Sequence, residues 1–418
     1  MTEHIIAPAE ILLPGENIDM KKWPALACDQ FTSQPEYWQA AERFVGSEPS
    51  ALRLVLPEVY LEEPGVEKRI ETIHAEMNQA LGSVLSRAVH GFVYTERCTE
   101  SGVRPGLVCA LDLEAYSYES GAEPLIRPTE GTVTSRIPPR LAVRRGAALE
   151  LPHILMLLDD PTDTVLGPIV AAKEHLPKLY DTELMLGGGN VAGWAVEDHA
   201  LVDGVIAAID RFAATPGPGG RAPIAIAAGD GNHSLATAKA YWEELKATLS
   251  PEEAANHPAR YALAELENIH SPAILIEPIH RVVFGIEKAA FTAALKEYFG
   301  ETLGSQGEQH FTVIGRGPAE DEQFALREPK EPLCAGSIEA FLGAFLPSHP
   351  ECRVDYIHGE EAVRALCAEG AAGILLPPFE KDDLFKGVYL SGVLPRKTFS
   401  MGHAEEKRYY LECRRIQK

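Results

Sequence analysis

The sequence predicts an α/β or α+β fold, and three observations carry that prediction. Short β-rich runs alternate with amphipathic stretches along almost the whole chain. Apolar residues make up 45% and charged residues 24%, the balance of a soluble globular protein. No apolar run approaches the length of a bilayer-spanning helix. At 418 residues the chain has room for two or three domains and a sizeable core.

In chain order, the first signal is "ACDQFTSQPEYW". An apolar approach ends in Asp29, Gln30, Thr32 and Ser33, and Pro35 opens a helix for which Ser33 is the expected cap. In "PGVEKRIETIHAEMNQAL", Pro64 suits a first helical turn and Val66, Ile70, Ile73 and Met77 fall on one face. The runs "GLVCALDL", "HILMLLDD", "PIAIAAGDG" and "PAILIEP" read as strands. Between the first two, "LIRPTEGTVTSRIPPRLAVRRGAALE" concentrates Arg127, Arg136, Arg140, Arg144 and Arg145. Pro138 and Pro139 favour a helix start there, which lines up Arg136, Arg140 and Arg144 at four-residue steps.

"LMLGGGNVAGW" lacks the Gly-x-Gly-x-x-Gly spacing of a dinucleotide site and reads either as a loop over a ligand or as a tight turn. "TPGPGGRAP" is a loop. After "PIHRVVFG" a fresh series begins: helix "IEKAAFTAALKEYFG", strand "QHFTVIG", helix "SIEAFLGAFL", strand "CRVDYIHG", helix "EEAVRALCAEG", strand "AAGILLPP". This places a boundary near residue 286 and predicts an N-terminal α/β domain over 1–285 and a smaller C-terminal α/β domain over 286–418.

Bulk properties exclude several classes of function. A net charge of −23 opposes general affinity for nucleic acid or anionic membrane. The N-terminus lacks the basic start, apolar region and small-residue cleavage site of a signal peptide, so a cytoplasmic location is expected. Seven scattered cysteines with no Cys-x-x-Cys pair indicate neither a disulfide framework nor a zinc site. Walker A, His-Glu-x-x-His, Gly-x-Ser-x-Gly and EF-hand patterns are absent from the sequence. The expected partner is a small-molecule substrate, and the sequence leaves the oligomeric state open.

The stretch "IAIAAGDGNHSLATAKAYW" is the most informative. A strand-like run breaks into Gly229, Asp230, Gly231, Asn232, His233 and Ser234 before a helical stripe of Leu235, Ala238, Trp242 and Leu245. The helix is expected to begin near His233 or Ser234, with Asn232 or Asp230 as its cap. Glycine permits positive φ and close approach to the backbone, and a helix's first turn offers unpaired N–H groups and partial positive charge. Together these make an anion site, although a plain capped turn with a surface histidine has the same composition. Asp230 would repel a phosphate there unless a cation intervenes, and a divalent metal bridging the two resolves the conflict.

Two further stretches supply candidate partners. Asp29 has no local structural task and is the first candidate for a general base, with Glu130 as a second candidate for base or metal ligand. Arg127 or Arg136 would supply a phosphate contact.

The turn is similar to one in a known family. Over most of its length the chain resembles domain of unknown function 1015, whose members carry Ala-Asp-Gly-His-His-Arg-Tyr-Glu-Thr-Ala after a strand. Asp230, Gly231, His233, Thr237 and Ala238 coincide with that motif, Gly229 is inserted, Asn232 replaces the first His and Ser234 replaces the Arg. "PALACDQFTSQPEYW", "IRPTEGTVTSR", "LMLGGGNVAGW", "EPIHRVV" and "LPRKTFSMGH" match in order as well. More distantly, the turn resembles the ParB and sulfiredoxin-like group, which includes free serine kinases and uses a helix-opening turn to hold nucleotide phosphates. That resemblance implies a mixed-sheet core with helices.

The expectation is therefore a kinase that uses ATP or ADP and Mg²⁺ on a small hydroxy metabolite such as a free amino acid. In that reading Gly229, Gly231, Asn232, His233, Ser234 and Arg127 hold the nucleotide, Asp230 reaches the metal, and Asp29, Glu130, Arg136 and His233 do the chemistry. The alternative is a non-catalytic nucleotide- or metabolite-binding regulatory protein, which the loss of the family Arg at Ser234 favours. DNA partition conflicts with the net charge of −23.

Overall fold

The computed structural model describes residues 4–99 and 101–417. It is a mixed α/β protein that divides into two compact units, Met1–Leu275 with His403–Lys418, and Ile276–Gly402.

The first unit is built on a ten-stranded sheet. Its strands are β1 (Ile6–Ala7), β2 (Ala9–Leu13), β3 (Arg87–Thr99), β4 (Gly102–Asp112), β5 (Ile126–Pro128), β6 (Leu155–Leu158), β7 (Lys178–Glu183), β8 (Asn190–Val196), β9 (Ile226–Asp230) and β10 (Tyr261–Asn268). The order is β5-β9-β6-β10-β4-β3-β8-β7, with β1 beside β4 and β2 beside β3. The β5–β9 and β6–β10 pairs are parallel, and the other pairs are antiparallel.

Successive strand residues point to opposite faces, so each central strand feeds two cores. On β10, Leu263 enters one core while Ala262, Ala264 and Leu266 enter the other. The first core also takes α1 (Pro35–Val45) through Trp38 and Val45, and α2 (Val66–Ser83) through Ile73 and Met77. The second takes α4 (His199–Ala214) through Val202, Val205 and Ile209, and α5 (Asn232–Lys246) through Leu235, Ala238 and Trp242. Between α2 and α4 in the chain, α3 (Ile137–Arg144) starts at the expected prolines and packs Ile137 and Leu141 on Ala236 of α5.

In the second unit the sheet strands are β11 (Ile276–Phe284), β12 (Leu303–Gly304), β13 (Gln309–Ile314), β14 (Glu322–Leu326), β15 (Arg353–His358), β16 (Ala372–Leu375) and β17 (Phe399–Met401). They lie in the order β12-β14-β13-β16-β11-β15, with β17 also on β11. Helices α6 (Lys288–Phe299) and α7 (Cys334–Phe345) share one core, where Phe291 meets Phe341 and Phe345 edge-on. Helix α8 (Glu360–Ala368) places Val363 and Cys367 in a separate, smaller core.

Residues after Gly402 group with the first unit because they pair there. Tyr409–Tyr410 joins Ala25–Leu26, and Arg414–Arg415 joins Leu149–Glu150. "LMLGGGNVAGW" is a tight turn running into a strand: Gly187 and Gly189 have φ of 82° and 77°, and β8 begins at Asn190. The expected Ser33 cap is not made, since Gln34 is the residue before α1 and its side chain forms no capping bond. All seven cysteines are free. Among the described residues no helix is long and apolar enough to cross a membrane.

Candidate functional site

The turn after β9 owes its shape to strand register. Ala228 pairs with Met156 and Asp230 with Leu155, so the inserted Gly229 is the extra residue of a β-bulge. The bulge re-aims the chain end, and Gly231 then takes φ 77° and ψ 24° ahead of the first helical residue, Asn232. A Cβ on Gly231 would lie 3.0 Å from the Ile154 Cα. Neither Asn232 nor Asp230 caps α5: the residue before the helix is Gly231, and Asp230 instead accepts the Gly231 N–H at 2.9 Å through Oδ1. The Asn232 Oδ1 is buried without a hydrogen-bond partner.

The cation beside Asp230 comes from the far end of the chain. Lys407 Nζ stands 3.0 Å from Asp230 Oδ2. Burial pushes the Asp230 carboxyl up, but the Lys407 charge, its hydrogen bond and the Gly231 N–H outweigh that and hold it below its ordinary value.

The register that sets Asp230 opposite Leu155 also brings His153 to the first turn of α5. His153 Nε2 lies 2.8 Å from Ser234 Oγ and 3.7 Å from Asp29 Oδ2. Its Nδ1 lies 2.6 Å from the Tyr410 hydroxyl, which accepts the Cys28 N–H at 3.2 Å. Tyr410 is placed by the short ladder that Tyr409–Tyr410 forms with Ala25–Leu26. Burial first, then the neighbouring Cys28 and Asp29, push the Tyr410 phenol well above its ordinary value, so it stays protonated.

Ser234, His153, Tyr410 and Cys28 line a cleft of about 150 Å³. Its apolar lining includes Leu56, Met77, Leu149 and Leu151. Two arginines of the basic segment also line it, each neutralised in place. Arg140 grips both oxygens of Glu58, and Arg144 holds Glu150 Oε2 at 2.6 Å while Arg414 holds Oε1. Burial raises the Glu58 carboxyl above its ordinary value despite Arg140, whereas Glu150, more deeply buried, is held below its own by Arg414 and Arg144.

The structure therefore joins some predicted residues and separates others. Asp29 and Ser234 meet at His153. His233 Nε2 accepts the Val133 N–H at 3.3 Å, and Thr129 bonds the Ala228 carbonyl, so the loop carrying the half-buried Glu130 is tied to this turn. Arg136 is exposed at the end of the short turn Thr134–Arg136. Arg127, 3% exposed, donates to the carbonyls of Pro124 and Ala222 and pins two loops.

Sequence reasoning missed His153, Tyr410 and Lys407. A histidine placed just before an apolar strand was the one local signal; the other two depend on where the C-terminal segment returns. In the second unit, His280 accepts the Leu376 N–H at 3.1 Å, and burial lowers its pKa to about 4, so it is a neutral packing residue.

Behind the turn lies a buried charged cluster on the face of β10 that carries Leu263. Arg408 bridges Glu265 and Glu412, and Thr95 bonds Glu265. Glu267, fully buried, is paired with Arg104 at 2.8 Å. Burial, opposed by Arg104 and reinforced by Glu265, raises the Glu267 pKa to about 7.

This geometry defines a class: a mixed α/β protein in which a bulged strand, a left-handed glycine and a helix mouth stand beside a small cleft. The chain matches the family described as "Protein of unknown function (DUF1015)" over residues 12–415 and belongs to it. No curated protein matches its sequence. Solved structures that resemble it include a free serine kinase in complex with AMP, at 10% identity and TM-score 0.35, covering 70% of this chain and 88% of that one. A conserved hypothetical protein from Pyrococcus furiosus matches at 12% and 0.33, covering 70% and 92%. SbnI with a C-terminal truncation, from Staphylococcus aureus, matches at 10% and 0.36, covering 71% and 82%. Values of this size decide neither activity nor substrate.

Proposed function

We propose that this protein is a nucleotide-dependent phosphotransferase for a small hydroxy metabolite, the sequence-based expectation being a free amino acid such as serine. The observation that carries the reading is the junction at His153, where Ser234 of the helix mouth and the candidate base Asp29 meet one imidazole. Phosphoryl transfer asks mainly for positioning and charge stabilisation. The first-turn amides of Asn232, His233 and Ser234 would take phosphate oxygens, with the bulge at Gly229 and the left-handed Gly231 aiming them. Lys407 would offset the charge of Asp230, and Glu130 and Arg136, on the loop tied to His233, would steady the nucleotide. Asp29 would accept the proton of the acceptor hydroxyl, with His153 holding it in place.

Asp230 does not fit a resident Mg²⁺. One oxygen faces Lys407, the other accepts the Gly231 N–H, and the residue belongs to no cluster of three metal-capable side chains among those described. A second reading, a non-catalytic nucleotide- or metabolite-binding protein, is favoured by one observation: Arg127, Arg140 and Arg144 already hold protein partners.

The test is incubation with ATP or ADP and a panel of hydroxy compounds that includes serine, followed by phosphorus NMR. Wild type should form a phosphorylated product and Asp29→Asn none. Undiminished turnover in Asp29→Asn would clear Asp29 of its role. A ligand-induced rise in melting temperature with no nucleotide consumed would select the binding protein.

A further inference from the structure

We infer that the cleft beside Ser234 takes a neutral hydroxy compound with a compact hydrocarbon body, in preference to a zwitterionic amino acid. The inference narrows the acceptor of the phosphotransferase reading and rests on that reading for the acceptor role alone; as a binding site it stands on the cleft.

Three observations support it. First, the cleft's charged side chains neutralise one another: Glu58 is held at both oxygens by Arg140, and Glu150 is held by Arg144 and Arg414. An ammonium or carboxylate on the ligand would lose its hydration on entry and meet groups already paired. Second, much of the lining is hydrocarbon, with Leu56, Met77, Leu149 and Leu151 contributing to it. The cleft's volume of about 150 Å³ matches that of an engineered apolar cavity that binds benzene.

Third, three uncharged polar side chains of the lining, Ser234, His153 and Tyr410, are joined in one hydrogen-bonded chain. His153 is 7% exposed and Tyr410 2% exposed. Ser234 Oγ, with one donor and two acceptor sites, has capacity beyond its bond to His153 for a ligand hydroxyl. A molecule with one hydroxyl at one end and a ring or short chain at the other satisfies all three features. Its hydroxyl would lie at the Ser234–His153 pair, near Asp29.

The experiment is calorimetric titration of the full chain, without nucleotide, using 2-phenylethanol, ethylbenzene and L-serine as probes. The expected result is saturable binding of 2-phenylethanol, about tenfold or more tighter than L-serine. Ser234→Ala should weaken 2-phenylethanol about fivefold and leave ethylbenzene unchanged. Ala147→Trp, which fills the cleft from its lining, should abolish binding of both; should that variant not fold, Ser234→Ala alone decides.

Binding of L-serine with none of 2-phenylethanol overturns the inference, as does equal binding of 2-phenylethanol by wild type and Ser234→Ala. If 2-phenylethanol binds as expected and no acceptor is ever phosphorylated, the phosphotransferase reading falls and this site stands. If serine is phosphorylated and 2-phenylethanol neither binds nor competes, the reverse holds.

Discussion

Glu267 offers a direct test of the buried charges behind the turn. Its carboxyl is fully buried on β10, and its pKa is raised from 4.5 to about 7, first by burial and then by Glu265, against the pull of Arg104. Because the folded value lies above the unfolded one, the folded state holds this proton more tightly. The resulting stability is complete below about pH 4.5 and is lost as pH rises through 7. The gap between 4.5 and about 7 corresponds to roughly 3 kcal/mol. Glu267→Gln keeps the shape and removes the titration. Urea unfolding of both proteins from pH 4.5 to 8, following the first unit's transition, should show the variant gaining about 3 kcal/mol relative to wild type across that range. Parallel stability curves would refute the reasoning, since they would mean that Glu267 ionises in the fold as easily as in water.

Other perturbations probe the same region. Arg408→Met leaves Glu265 and Glu412 buried without their shared cation and should cost about 3–5 kcal/mol in urea unfolding, with partial recovery on adding Glu265→Gln. Gly231→Ala forces a side chain into φ 77° against Ile154 and should cost about 1–2 kcal/mol, read as a lower melting temperature. Lys407→Met leaves the Asp230 charge uncompensated at the helix mouth and should weaken ATP binding about tenfold by calorimetry, with recovery in the double variant carrying Asp230→Asn.

Helices were the most legible part of the fold. The stripe of Leu235, Ala238 and Trp242 identified α5, and Pro138 and Pro139 identified α3, because helical period and proline chemistry are local properties. Strand β10 was less so. No strand was legible over Tyr261–Asn268, where Glu265 and Glu267 interrupt the apolar pattern, and their burial depends on Arg104 and Arg408 from distant segments. The conflict at Asp230 was visible in the sequence as a negative charge at an anion site, but its resolution was not. A metal was the expected cation, whereas Lys407 stands there, one hundred and more positions along the chain.

By itself, then, the sequence determined the alternation of strands and helices, the glycine turn that opens α5, and membership of a family matched over residues 12–415. These follow from periodicity, backbone freedom and residue type, all readable within a few turns of chain. The tertiary structure alone decided which groups meet: His153 with Ser234 and Asp29, Lys407 with Asp230, Arg140 and Arg144 with their glutamates. Those pairings depend on strand register and on the return of residues 403–418 to the first sheet's side chains. Long-range contacts of that kind arise from the packing of separate segments, and no local pattern records them.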